Sequence, residues 1–247
     1  MKHFWTHKEN MPSEEPGYGQ FTIGHFFLLA LSTLLIICYV ILYNKSDSET
    51  RIVLRRSIAF TLIFIDIIKM ILIGRSTVKL SNYLPLELCS FASYYIVLDS
   101  IFADNTIFPI VLLTMFLPAA IMAILFPTTS TLPVLNFYTI HQFLYHALII
   151  AYIMARFLCK EITLTYSGVW TSILQIIILA IIIYVIDAVF DKNFMFLRDP
   201  YGNPVLDLLW KTFKGGISYT LGLVAFCIFM IHVFYGFFKL ISVLFLK

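Results

Sequence analysis

The chain has 247 residues, of which 60% are hydrophobic and 13% charged, against roughly 45–50% and about 25% in an ordinary globular protein. With 24 Phe, 14 Tyr and a mean hydropathy of +0.91, a water-soluble fold is excluded, because a globule of this size has too little interior to bury so much apolar surface. A net charge of +3 from 17 basic and 14 acidic residues leaves no basic face for nucleic acid and no room for a sizeable extramembrane domain.

A window of about 20 residues, the length that crosses ~30 Å of hydrocarbon, predicts an all-α polytopic transmembrane bundle. Residues 1–21 form a polar N-terminal tail and 22–247 a single transmembrane domain. Seven spans are expected, at 22–43, 53–73, 84–102, 107–126, 137–158, 168–190 and 217–240. Six is the alternative count, because the third span contains Glu87 and Asp99 and is joined to the fourth only by the short break at Asp104-Asn105. The first apolar run, Phe26 to Tyr43, exceeds the ~7–15 residues of a signal-peptide core and Ser46-Asp47-Ser48 is a poor cleavage site, so it reads as a retained helix.

Lys and Arg do not decide the orientation. The N-terminal side carries eight (Lys2, Lys8, Arg75, Lys79, Lys192, Arg198, Lys211, Lys214) and the other side eight (Lys45, Arg51, Arg55, Arg56, Arg156, Lys160, Lys239, Lys247). Weighting the first helix favours an outside N-terminus.

Ionisable groups are expensive in lipid and mark bundle interiors or cavities. At 1.5 Å per residue, Glu87 and Asp187 lie ~5 Å, Cys89 ~8 Å, Asp66 ~10 Å and His146 ~14 Å below the N-terminal-side edge. His25, His141 and the stretch Asp191 to Asn193 sit at that same surface, while Asp99 and His232 lie toward the other. This asymmetry predicts a polar pocket on the N-terminal side.

Each group also has a structural reading. Asp66 and Lys69, three residues apart on one helix, suit an ion pair. Glu87 follows Pro85 at a helix start, where capping is the first expectation. Asp187, at a helix C-terminus, needs a cation or hydrogen-bond donor, and Lys192 is the nearest cation in sequence. Of the four cysteines, Cys38, Cys159 and Cys227 read as apolar filler, whereas Cys89 lies near a helix N-terminus, which favours the thiolate. Their spacing supports neither a disulfide framework nor a metal knuckle, and no metal or other cofactor is expected. Gln142 and His146 share a helix face, as do His141 and Tyr145, so Gln142 is placed to orient His146. A thiol opposite an oriented histidine is the arrangement that nucleophilic catalysis uses.

Leu84-Pro85-Leu86-Glu87-Leu88-Cys89 resembles the LPLxLC signature of the YwaF-type bacterial integral membrane proteins, which are similar to the animal family of transmembrane protein 164. Two further stretches resemble the same family. One is Ala123 to Pro127 followed by Gln142 to Ile149; the other is Asn193-Phe194-Met195-Phe196-Leu197-Arg198, continuing through Pro200, Asn203-Pro204 and Leu206-Asp207. Together they cover most of the chain from Asp66 to Tyr219. The resemblance implies a multi-pass protein of the bacterial plasma membrane and a lipid acyltransferase that moves an acyl chain from a phospholipid to a lysophospholipid. It makes Cys89 the nucleophile and His146 its general base; the depths of the polar groups add Asp66, Lys69, Glu87, His141, Gln142, Asp187 and Asn193 as the supporting polar pocket. The sequence departs from the family pattern at Glu87, where His is frequent, and at Ala147, where Gly is frequent.

Three other readings compete. A proton- or ion-coupled transporter would use Asp66, Lys69, Glu87 and Asp187 as a relay, although no inverted-repeat pattern is apparent. A metal site would combine Cys89, His146 and a carboxylate, and a non-catalytic membrane protein would need none of them. The segment Asp191 to Gly216, with Val205, Leu208, Leu209 and Trp210 beside Lys211 and Lys214, reads as an interfacial connecting helix or a lid. Oligomeric state is not legible.

Overall fold

The computed structural model describes residues 3–102 and 105–246; Lys2, Asp104 and Lys247, used in the charge and loop arguments above, lie outside them. The described residues form eight α-helices with short 3-10 turns between them. They are α1 (Ile23–Lys45), α2 (Ser48–Gly74), α3 (Leu88–Ile101), α4 (Ile107–Leu125), α5 (Phe137–Leu158), α6 (Tyr166–Phe190), α7 (Pro204–Phe213) and α8 (Gly216–Phe245). Six are long and apolar enough to cross a membrane: α1, α2, α4, α5, α6 and α8.

The third expected span differs from the others. Its helix, α3, has 14 residues, or about 21 Å at 1.5 Å per residue, short of ~30 Å of hydrocarbon. It nevertheless joins the two faces of the bundle. Its start meets the segment after α6, through Glu87 and the Met195 N–H, and its end meets the end of α5, through Asp99 and Arg156. The chain therefore passes between the faces seven times among the described residues, and the pass at 84–102 opens on non-helical backbone at Leu84 to Glu87. That leaves a helix N-terminus below the N-terminal-side surface.

Local signals account for the helix ends. Asp47 accepts from the Thr50 N–H (2.8 Å) at the start of α2, Asn136 from the Tyr138 N–H (2.8 Å) at α5, and Asn203 from the Val205 N–H (3.1 Å) at α7, each satisfying an otherwise orphaned donor. Within α4, Pro118 has no N–H to give, and in a regular α-turn its ring would strike the Thr114 carbonyl. The helix widens into a π-turn over Leu112–Phe116 immediately before it.

Helix α5 is the axis of the bundle. Tyr145, Ala147, Ile149, Ala151, Tyr152, Ile153 and Ala155 are all buried, although they point in every direction around the helix. Helices α1, α6 and α8 instead present outward bands such as Phe26, Leu34 and Ile41, Trp170, Ile181 and Val189, and Leu221, Phe229 and Leu240. These bands are the surface that lipid covers. Close approach of α4 to α6 depends on Gly168, where a Cβ would stand 2.5 Å from the Ile110 side chain.

The segment before α1, expected as a polar tail, folds against the N-terminal-side face. Tyr18 and Gly19 donate their N–H groups to the Leu132 and Ser130 carbonyls (both 2.9 Å), and Asn136 Nδ2 donates to the carbonyls of His3 (2.8 Å) and Thr6 (2.9 Å). Aromatic content explains why it stays there, since Trp5 packs on Phe137 at 5.3 Å and His7 meets Tyr83 and Tyr138 edge to face.

Candidate functional site

Beneath this N-terminal cap, the helices enclose a cavity of about 750 Å³, within the range of small-molecule sites. Seven of the nine expected site residues line it: Lys69 from α2, Glu87 and Cys89 at the start of α3, His141, Gln142 and His146 from α5, and Asn193 from the loop after α6. The other two stand behind its wall. Asp66 forms an ion pair with Lys69, and Asp187 is fully buried under the loop.

Cys89 lies one residue inside α3. Glu87 occupies the cap position but makes no side-chain capping bond, so the first-turn N–H groups of α3 have no side-chain acceptor at the cap. The expectation that Glu87 caps α3 is thus corrected: its carboxylate turns away and accepts the Met195 N–H at 2.8 Å. Cys89 is also tied to α5, because the Tyr145 hydroxyl donates to the Cys89 carbonyl at 3.4 Å. Tyr145 in turn stacks on His141, with ring centroids 5.3 Å apart.

His146 is held differently from the sequence expectation. Its Nδ1 lies 2.6 Å from the backbone carbonyl of Gln142, whereas the Gln142 side chain donates to the Ala123 carbonyl at 3.1 Å. A carbonyl only accepts, so Nδ1 carries the proton and Nε2 keeps a free lone pair. The amide that was expected to orient His146 instead ties α5 to α4.

Lys69 and Asp66 pair as their spacing foretold, and the cluster extends to His141, whose Nε2 is 3.8 Å from Asp66 Oδ1. Asp187 has the partner it needed, but not Lys192: its carboxylate accepts the Phe194 N–H at 3.0 Å. Lys192 reaches instead to Asn82 (2.6 Å) and Ser81 (3.1 Å).

The loop after α6 is consequently pinned on all sides. Asn193 accepts from the N–H groups of Arg198 (2.9 Å) and Asp199 (3.1 Å), and Tyr219 and Thr220 of α8 donate to the carbonyls of Phe196 (2.9 Å) and Leu197 (2.8 Å). Met195 and Phe196 are held at φ +54° and +57°, a left-handed conformation that bulky residues adopt only when their surroundings impose it. Both line the cavity. Beyond them, α7 buries no residue completely, yet Val205 and Leu206 reach the cavity and Trp210 packs on Tyr219 at 5.0 Å. It lies over the site as an amphipathic cover.

Several participants were not singled out from sequence. His7, Lys8 and Glu9 form part of the cavity wall from the N-terminal cap, and Cys227 of α8 places a second thiol on it. Burial of the His7 imidazole pushes its pKa from 6.5 down to about 4. The aromatic run around Trp5 was a signal for the cap; Cys227, in the middle of an apolar helix, gave none. On the opposite face, Asp99 joins Arg156 in a buried ion pair and accepts from the Tyr152 hydroxyl (2.5 Å). Arg156 continues to Glu161 (3.1 Å), which also accepts from Tyr43 (2.8 Å). His25 and His232 are interhelical hydrogen-bonders, to the Ile124 carbonyl (2.8 Å) and Tyr166 (3.4 Å).

Among the described residues, no three His, Cys, Asp or Glu side chains converge to hold a metal ion, so the Cys89–His146–carboxylate metal reading finds no ligand set there. Neither the curated proteins nor the solved structures include a match to this chain. Its sequence does match the TMEM164 family over residues 20–236, nearly the whole bundle from α1 to α8, and the protein belongs to that family of multi-pass membrane proteins.

Proposed function

We propose that the protein is a membrane-embedded lipid acyltransferase in which Cys89 carries the acyl chain as a thioester and His146 moves the protons. The observation that carries this reading is the tautomer of His146: Nδ1 is committed to the Gln142 carbonyl, which leaves Nε2 as a base in the cavity that Cys89 lines. Nε2 takes the Cys89 thiol proton as sulfur attacks the ester carbonyl of a phospholipid. The C–S bond forms, and the resulting oxyanion faces the N–H groups of Leu88 and Cys89 at the positive end of α3. The ester C–O bond then breaks, and His146 returns the proton to the departing lysophospholipid oxygen. In the second half, a lysophospholipid hydroxyl attacks the thioester, His146 accepts its proton, and Cys89 leaves as a thiolate that is reprotonated. Water as acceptor makes the same centre a hydrolase.

Glu87, which stands where the resembled family frequently has His, has no part in the proton transfers. It anchors the Met195 loop, and Asp187 does the same at Phe194. This use of two of the four carboxylate and lysine groups in holding backbone argues against an ion relay through them. Lys69 is neutralised by Asp66, and Lys8 at the cavity wall supplies cationic character suited to a phosphate headgroup.

The test is a transfer assay on the purified protein in nanodiscs containing a fluorescent-acyl phospholipid donor and an unlabelled lysophospholipid. Cys89-dependent appearance of fluorescent diacyl product supports the reading. Equal turnover by the wild type and Cys89→Ala, or none by either, contradicts it.

A further inference from the structure

A second cavity, of about 610 Å³, lies on the face opposite Cys89, where the α1–α2 turn meets the end of α5. Three arginines line it, Arg51, Arg55 and Arg156, together with Glu161 and the serines Ser46 and Ser48. Charge is not balanced there. Arg156 is taken by Asp99 and Glu161, and Arg51 by Glu161 (3.3 Å) and the Tyr43 and Asn44 carbonyls (3.1 and 3.2 Å). Two carboxylates thus serve two guanidiniums, and Arg55 has no acidic partner among the described residues.

Arg55 is also the residue that can least do without one. It is only 7% exposed, and its Nε has no hydrogen-bond partner. A guanidinium does not deprotonate, so a buried one needs an anion or a full set of acceptors. Tyr39, across on α1, lies within electrostatic reach of Arg55 and has a buried, unpartnered hydroxyl of its own. Arg55 thus brings an unsatisfied donor to the wall of an open pocket. Arg51 and Arg55 are one turn apart on the same face of the 27-residue α2 and so present their charges side by side.

We infer that this pocket binds one phosphate group, gripped by the planar fork of Arg55 with Arg51 and Ser48 at the mouth. A planar guanidinium matches phosphate oxygens in pairs, and basic pockets between helix ends hold anionic headgroups at membrane surfaces. The group is either the phosphodiester of an anionic lipid or a free phosphate. This site is independent of the Cys89 centre, which lies at the other face.

The full-length protein, purified in phosphate-free maltoside micelles, tests it in two arms at constant ionic strength: titration with inorganic phosphate and titration with phosphatidylglycerol. Saturable binding of one equivalent is expected in at least one arm, weakened roughly tenfold or more by R55Q and unchanged by R56Q at the exposed neighbouring arginine. Binding in the phosphatidylglycerol arm alone identifies a lipid headgroup, and binding in both a free-phosphate site. If R55Q does not purify as a folded species, R55K keeps the charge without the fork and binds several-fold more weakly. No saturable binding of either probe to the wild type, or equal binding by the Arg55 variants, overturns the inference.

Discussion

His146 bonds through Nδ1 to the main-chain carbonyl of Gln142, one helical turn earlier, at 2.6 Å. The ring is oriented by the helix it stands on, and no second side chain is needed to set its tautomer. Gln142→Ala is therefore expected to leave acyl transfer within about twofold of wild type, because the carbonyl remains. Loss of the Gln142 bond to Ala123 lowers thermal stability instead, by about 0.5–1.5 kcal/mol. Parallel turnover and melting measurements separate the two effects.

The buttress beneath the strained loop gives a second expectation. Glu87→Ala and Asp187→Ala each strip the acceptor from a buried N–H, at Met195 and Phe194 respectively, and each is expected to cost about 1–3 kcal/mol. Hydrogen exchange at those two amides should accelerate in the matching variant. Glu87→Gln, which still offers a carbonyl oxygen, should keep Met195 protected; equal exchange in the Gln and Ala variants would contradict the assignment.

On the opposite face, Asp99 is fully buried and shared between Arg156 and Tyr152. Removing Asp99 takes the shared acceptor from Arg156 and Tyr152 and leaves the buried guanidinium with Glu161 alone, so Asp99→Ala should destabilise the bundle by about 1.5–3 kcal/mol. The double variant Asp99→Leu with Arg156→Met should recover much of that loss, since neither charge remains. Denaturation of the single and double variants in the same detergent measures the difference.

His7 makes the N-terminal cap pH-sensitive. Its Nδ1 accepts the Glu9 N–H at 3.3 Å, which only a ring with that nitrogen unprotonated can do. Because burial lowers the folded pKa from 6.5 to about 4, the detached segment binds a proton more readily than the docked one. Docking is thus fully favoured above pH 6.5 and loses stability as pH falls through that value toward 4. Hydrogen-exchange protection of residues 3–20 should decline over this window in the wild type and stay flat in His7→Phe.

Much of the architecture was legible because lipid solvent imposes strong rules. Long apolar runs had to be helices, and the depths of Glu87, Cys89, Asp66 and His146 foretold a polar cavity on one side. The Asp66–Lys69 pair followed from helical spacing alone. What stayed hidden depends on contacts between distant segments. Nothing local assigns Glu87 to the Met195 N–H, more than a hundred residues away, or reveals Cys227 as a wall of the same cavity. The short α3 was ambiguous for a related reason: its pass begins on irregular backbone, which a hydropathy window cannot distinguish from helix. The docking of residues 3–20 was hidden for the same reason, since it rests on contacts of Trp5, His7 and Tyr18 with residues more than seventy positions away.

The most direct measurement is the mass of the Cys89 peptide after the nanodisc-embedded protein has been incubated with phospholipid and no acceptor, then quenched in acid. The account predicts an acyl adduct on Cys89 that neutral hydroxylamine removes, that is absent in Cys89→Ala, that forms much more slowly in His146→Ala, and that is unaffected by Cys227→Ala. An unmodified Cys89 under conditions where labelled diacyl product accumulates, or an adduct that survives in Cys89→Ala, would contradict it.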